Sequence, residues 1–192
     1  MIKNKSVLIA YATRYGTTAE TAKDIGNFLK EQGIETTLVD LKHTKGKNWP
    51  TIDNFSGVIV ASGIMMGRWM NEPQKFLRKN QGKLAQQDKI LGVFVSCGCT
   101  ITDPEKAKND YLVKKFELLG IKPQIYEPIG PIFDFSATSK LGWFPKRVLK
   151  SPELQAPYEA KGFKIDNEGR NDLRVLDQIR NFADRFAKLL KP

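Results

Sequence analysis

The sequence predicts an α/β fold: a three-layer sandwich around a five-stranded parallel sheet in the order 2-1-3-4-5. Three observations predict it. Short apolar runs alternate with helix-period segments along the chain. The first run breaks directly into Thr13-Arg14-Tyr15-Gly16-Thr17-Thr18, where a helix begins. The runs are continuous rather than alternating, as expected of strands buried on both faces. Right-handed crossovers then place ligands outside the carboxyl ends of strands one, three and four.

Each element has its own warrant. Val7–Ala12 reads as strand one. Ala19–Glu31 reads as helix one, with Ala22, Ile25, Phe28 and Leu29 on one face and Gly33 beyond its end. Glu35–Leu41 alternates as strand two. Gly57–Ala61 and Lys89–Ser96 are apolar strands three and four. Pro73 suits the first turn of a helix over Glu72–Asn80. Asp103-Pro104-Glu105 opens a helix running to Leu119, closed by Gly120. Gln124–Ile129 is strand five. Leu173–Leu190 is an amphipathic last helix with Leu176, Ile179, Phe182, Ala183 and Phe186 inward.

The 192 residues predict a single domain, long enough to bury about 70% of the unfolded chain's surface. No run approaches the roughly 20 apolar residues of a membrane span. The first residues lack the apolar region of a signal peptide, so a cytoplasmic location is expected. Cys97 and Cys99 are spaced too tightly for an ordinary disulfide. With His43 far away in sequence, no metal site is expected. The 31 basic against 21 acidic residues give +10, which points to an anionic partner.

The first loop selects among nucleotide sites. It contains neither a Walker Gly-Lys-Ser/Thr nor a Gly-x-Gly-x-x-Gly dinucleotide fingerprint. Hydroxyls and amides at a helix start suit a terminal monophosphate. Strands one and three lack the acidic cluster and acceptor Asp of a phosphorelay receiver, having Tyr11-Ala12 and Ala61-Ser62 instead. The loop after strand three, Ser62-Gly63-Ile64-Met65-Met66-Gly67-Arg68-Trp69, is unusually apolar. Its Met side chains and Trp69 are expected to wall an aromatic ring, with Gly63 backbone at the ring edge. Arg68 is expected to meet an acidic substrate, the ring edge or an acid in an exposed salt bridge. Ser96-Cys97-Gly98-Cys99-Thr100 offers small residues to the other edge.

These loops resemble the flavodoxin family, and more narrowly its quinone-linked protoporphyrinogen dehydrogenases. The carrying segments are Ala12–Glu20, Gly63–Trp69 and Gln74–Lys79. Tyr15 stands where the family's phosphate loop usually has threonine, and Met65-Met66 where the dehydrogenases have Arg-Tyr. The resemblance implies non-covalent FMN, its phosphate held by Thr13 to Thr18 and its ring by the other two loops. It assigns no side chain as catalytic acid or base. It implies a quinone and a porphyrinogen as partners. An electron-transfer flavodoxin docking redox proteins, and a flavodoxin-like interaction module, are the alternatives.

Residues 130–169 form an extension between strand five and the last helix. Aromatic and aliphatic residues, from Phe133 and Phe135 to Trp143, Phe144 and Leu149, interleave there with Lys140, Lys146, Arg147 and Lys150. Its proline and glycine punctuation predicts irregular structure. Such a segment suits an aromatic anionic substrate, peripheral contact with the inner face of a membrane, or a homodimer contact. No recognition motif points to nucleic acid.

Overall fold

A computed structural model describes residues 5–86 and 89–190. Its main sheet has strands β1 (Ser6–Ala12), β2 (Glu35–Asp40), β3 (Gly57–Met65), β5 (Ile90–Ser96) and β6 (Ile125–Ile129), all parallel, in the order β2-β1-β3-β5-β6. This is the expected 2-1-3-4-5 order once the short β4 (Arg68–Trp69) is set apart. β4 folds back antiparallel on the end of β3, through Ile64–Trp69 and Met65–Arg68 pairs. β3 therefore runs four residues beyond the predicted Ala61.

Both faces of the sheet are buried. Leu8, Val58, Val60 and Val93 point to one side, against Phe76 and Leu77 of α2 (Asn71–Ala85). Val7, Ile9, Ile59 and Phe94 point to the other, against α1 (Thr17–Glu31) and the last helix, α8 (Leu176–Leu190). Phe186 of α8 lies so close to the sheet that a β-carbon at Gly57 would stand 2.8 Å from its ring. One inward assignment changes. Leu176 is 58% exposed as the first residue of α8, and Leu173, before the helix, is buried.

The helix expected over 103–119 keeps its ends but not its interior. Asp103 accepts from the Lys106 amide at 2.9 Å and Gly120 closes it at φ 60°. Between α4 (Pro104–Lys108) and α5 (Lys114–Leu119) the turns widen to a π-helix over Asn109–Val113. There the Trp69 indole N–H donates to the Tyr111 carbonyl at 2.6 Å. A side chain that takes a helix carbonyl perturbs the ordinary ladder. A further short helix, α3 (Cys99–Thr102), follows β5.

The extension corrects the expectation of irregular structure. It leaves and returns through an antiparallel pair, β7 (Ile132–Asp134) with β8 (Arg170–Asp172). Two short helices lie between, α6 (Trp143–Leu149) and α7 (Pro152–Glu159). Pro145 and Pro152 fall in first turns where no amide is needed, while α7 also carries Pro157 inside the helix. Gln155 is buried and donates to the Leu149 carbonyl and Asn167 Oδ1. Asn171 likewise donates to the Phe133 and Asp166 carbonyls.

Candidate functional site

At the end of β1 the chain turns through Gly16 at φ 109°, a conformation open to glycine. The Gly16 amide donates to Thr13 Oγ1 at 2.9 Å, closing the loop. Among the described residues, the Thr17, Thr18 and Ala19 amides at the head of α1 find no acceptor. They face outward with the positive end of the helix dipole. Thr17 Oγ1 both accepts from the Ile132 amide and donates to its carbonyl, tying this loop to β7.

The second loop is held by Ser62, whose Oγ accepts from the Met70 amide and donates to the Gly63 carbonyl, both at 3.0 Å. Gly63 backs onto Thr18, whose Oγ1 would stand 3.2 Å from an added β-carbon. Tyr15 Oη reaches Met65 Sδ at 3.8 Å, joining the first loop to the second.

The third loop begins at Ser96. Its hydroxyl is buried and finds no partner among the described residues. Cys97 is buried, and burial pushes its thiol up despite a 3.2 Å contact with Thr100 Oγ1. Burial, then the Asp103 carboxylate, pushes the Cys99 thiol up too. Both stay thiols near neutral pH, so neither is an activated thiolate. Gly98 lies beneath Tyr158 of α7, and a β-carbon there would collide with the phenol oxygen. Burial pushes the Tyr158 phenol up. Its ring meets Phe133 edge-on at 5.4 Å.

These loops enclose one cleft of about 480 Å³. Thr13, Arg14, Tyr15, Thr17 and Thr18 line it from the first loop. Gly63, Ile64, Met65 and Met66 line it from the second, and Ser96, Cys97 and Gly98 from the third. Gly16, Ser62, Gly67, Arg68, Trp69, Cys99 and Thr100 do not. Gly16 and Ser62 instead shape the loops. Trp69 is buried in the core at the Tyr111 carbonyl, so its ring is no wall of the cleft. Arg68 is exposed on the hairpin.

The far wall comes from the extension. Ile132 and Phe133 of β7, Phe144 and Val148 of α6 and Tyr158 of α7 all line the cleft. Sequence reasoning offered Phe133 and Phe144 of the extension as substrate-facing candidates, and the methionines of the second loop, Met70 among them, as a wall, but passed over Ile132 and Tyr158. A glycine at 98 was the one signal that something packs there. No carboxylate lines the cleft, and Arg14 is its sole charged lining residue among those described. An apolar slot with open amides, one cation and an orphaned buried hydroxyl fits a phosphorylated aromatic cofactor such as FMN. Among the described residues no group of three or more His, Cys, Asp or Glu could hold a metal ion. No described helix is long and apolar enough to cross a membrane.

The comparisons agree with this geometry. The model of the flavodoxin domain matches residues 8–152. The protoporphyrinogen IX dehydrogenase (quinone) of Escherichia coli K12 is 27% identical over 185 residues, covering 95% of this chain and 94% of that protein. Oxidised flavodoxin 1 from Bacillus cereus shares the fold with a TM-score of 0.57 at 14% identity, over 97% of this chain and 100% of that one. The Flv1 flavodiiron core from Synechocystis has a TM-score of 0.56 at 18% identity over 98% of this chain. The chain spans 36% of that longer protein.

Proposed function

The chain belongs to the flavodoxin domain family, and from that premise we propose that it is an FMN-dependent, quinone-linked oxidoreductase. Its proposed reductant is a carboxylated tetrapyrrole of the protoporphyrinogen class, as the name of its Escherichia coli relative suggests. The observation that carries this reading is the additional wall that the extension builds. A carrier that docks redox proteins needs an open cofactor edge, whereas here α6 and α7 roof the cleft with apolar side chains. The enclosure suits turnover of a small molecule. The setting is cytoplasmic, at the inner face of a quinone-bearing membrane.

FMN would supply the hydride and electron chemistry. The protein's part is holding, orienting and drying. The Thr17, Thr18 and Ala19 amides and the Thr13 hydroxyl would hold the phosphate. The Gly63 and Gly98 backbones would hold the ring, and the Ser96 hydroxyl would gain its missing hydrogen bond. Phe133 and Tyr158 would pack against the pyrrole rings of the substrate, and Arg14 would meet its carboxylates. Phe144 and Val148 add apolar surface to the outer wall.

Ser96→Ala is expected to change apoprotein and flavin binding in opposite directions. A buried unpaired hydroxyl costs about 1 kcal/mol, so the apoprotein gains about that stability in a denaturant melt. FMN affinity, read by fluorescence quenching, falls about fivefold as one hydrogen bond is lost. Parallel changes in both would deny Ser96 this role. The broader test is to identify the flavin released from purified protein and measure its turnover. Rapid reduction of a soluble quinone by a porphyrinogen supports the reading. Absence of flavin, or reaction with redox proteins alone, overturns it.

A further inference from the structure

We infer that the mouth of the cleft is a docking surface for an anionic lipid bilayer, so that an apolar quinone enters from the membrane. This rests on the quinone-linked reading above. Both rims present large apolar side chains to solvent. Met66 is 89% exposed on one rim, and Trp143 and Phe144 are 76% and 61% exposed on the other. Met66 and Phe144 also line the cleft, so the mouth opens among these residues.

Met66 adds an independent sign. It forms the β3–β4 hairpin tip with Gly67, at φ 48° and 73°. Such a turn favours Asn-Gly. Met66 is the one non-glycine residue at positive φ among those described. The backbone bears strain to turn a large apolar side chain outward, and such strain marks functional surface.

Cations flank the apolar tips along the chain. Arg68, Lys140 and Arg147 are exposed and have no acidic partner among the described residues. No acidic residue lies between 140 and 150. Lys146 instead turns inward to the Phe135 and Ser136 carbonyls, which pins α6. Exposed apolar tips with unpaired cations next to them in the chain fit a headgroup layer of negative lipids. A second copy fits worse, because a twofold contact would set like charges against each other.

The test is co-sedimentation of the purified full chain with phosphatidylcholine vesicles, with and without phosphatidylglycerol. The chain is expected to pellet with the anionic vesicles alone and to be released by salt. Arg147→Glu changes two elementary charges, each worth a factor of about five at such a surface, so partitioning falls about 25-fold. Trp143→Glu falls at least as far. Neither residue lines the cleft, so both variants keep turnover of a short-chain soluble quinone and lose it with a long-chain quinone held in vesicles. Loss of soluble turnover in the unaltered chain would strike the proposed function and leave vesicle binding standing. Equal pelleting with neutral vesicles, no pelleting, or a dimer that Trp143→Glu splits would overturn the docking surface.

Discussion

Arg174→Met is expected to lower stability by roughly 2–3 kcal/mol, the lower end for a broken buried ion pair because its acids are partly exposed. The Arg174 side chain is only 6% exposed. It bonds Asp24 of α1 at 2.8 Å, Asp172 of β8 at 2.7 Å and Thr21 Oγ1 at 3.3 Å. It therefore fastens the return strand of the extension to the helix that opens the phosphate loop. Arg170, paired with Glu20, is a second and more exposed fastening. Methionine keeps the packing of the stem but leaves two carboxylates without their cation. A fall of about 5–10 °C in melting temperature is expected for a chain of this size. Flavin retention should weaken too, because Ile132 and Phe133 hang on the same hairpin. A melting temperature within about 2 °C of the parent would show that the pair is dispensable.

The same contact predicts a pH dependence. Burial raises the Asp172 carboxyl, but hydrogen bonds and charge from Arg174 outweigh it and hold the group below its ordinary value. A carboxyl depressed on folding adds stability that is fully present above its unfolded value, near 3.9. That stability is lost as pH falls through the lower folded value. The parent should therefore lose stability on acidification below about pH 4. Arg174→Met should show a shallower acid limb in melts from neutral pH to pH 3. An unchanged limb would assign the acid sensitivity to other carboxyls.

Gly16→Val is expected to weaken FMN binding on the order of 100-fold, read by flavin fluorescence. At φ 109° a branched side chain is strained by about 1–3 kcal/mol, and the loop relieves it by turning over. That turn breaks the Gly16–Thr13 bond and re-aims the Thr17 and Thr18 amides. Two charge-assisted hydrogen bonds at about 1.5–3 kcal/mol each exceed the loss predicted. Gly33→Val is the control. Gly33 has φ 74°, with open space around its missing β-carbon, at the far end of α1. It should cost stability by backbone strain yet leave FMN affinity within about twofold. Equal losses of affinity in both variants would mean that Gly16 acts through general stability.

The order of the main sheet was readable because its signals are local. Val7–Ala12, Gly57–Ala61 and Lys89–Ser96 are apolar without break, and the Thr13–Thr18 loop marks strand one. Burial on both faces demands such runs, and a right-handed crossover leaves few ways to join them. Twelve of the nineteen residues named from sequence line the cleft for the same reason: each follows directly from a strand end.

What only the tertiary structure decided depends on contacts between distant segments. The Tyr111 carbonyl accepts from Trp69, which removes the indole from the cleft and perturbs a helix that its own sequence would continue. Gly98 reads as a flexible loop glycine until Tyr158, sixty residues on, is seen above it. Trp143–Leu149 forms a helix although its proline reads as a breaker, because the Lys146 side chain and the β7–β8 pair secure it. Periodicity records which face of an element is buried. It does not record which partner does the burying, and that choice made the wall of this cleft.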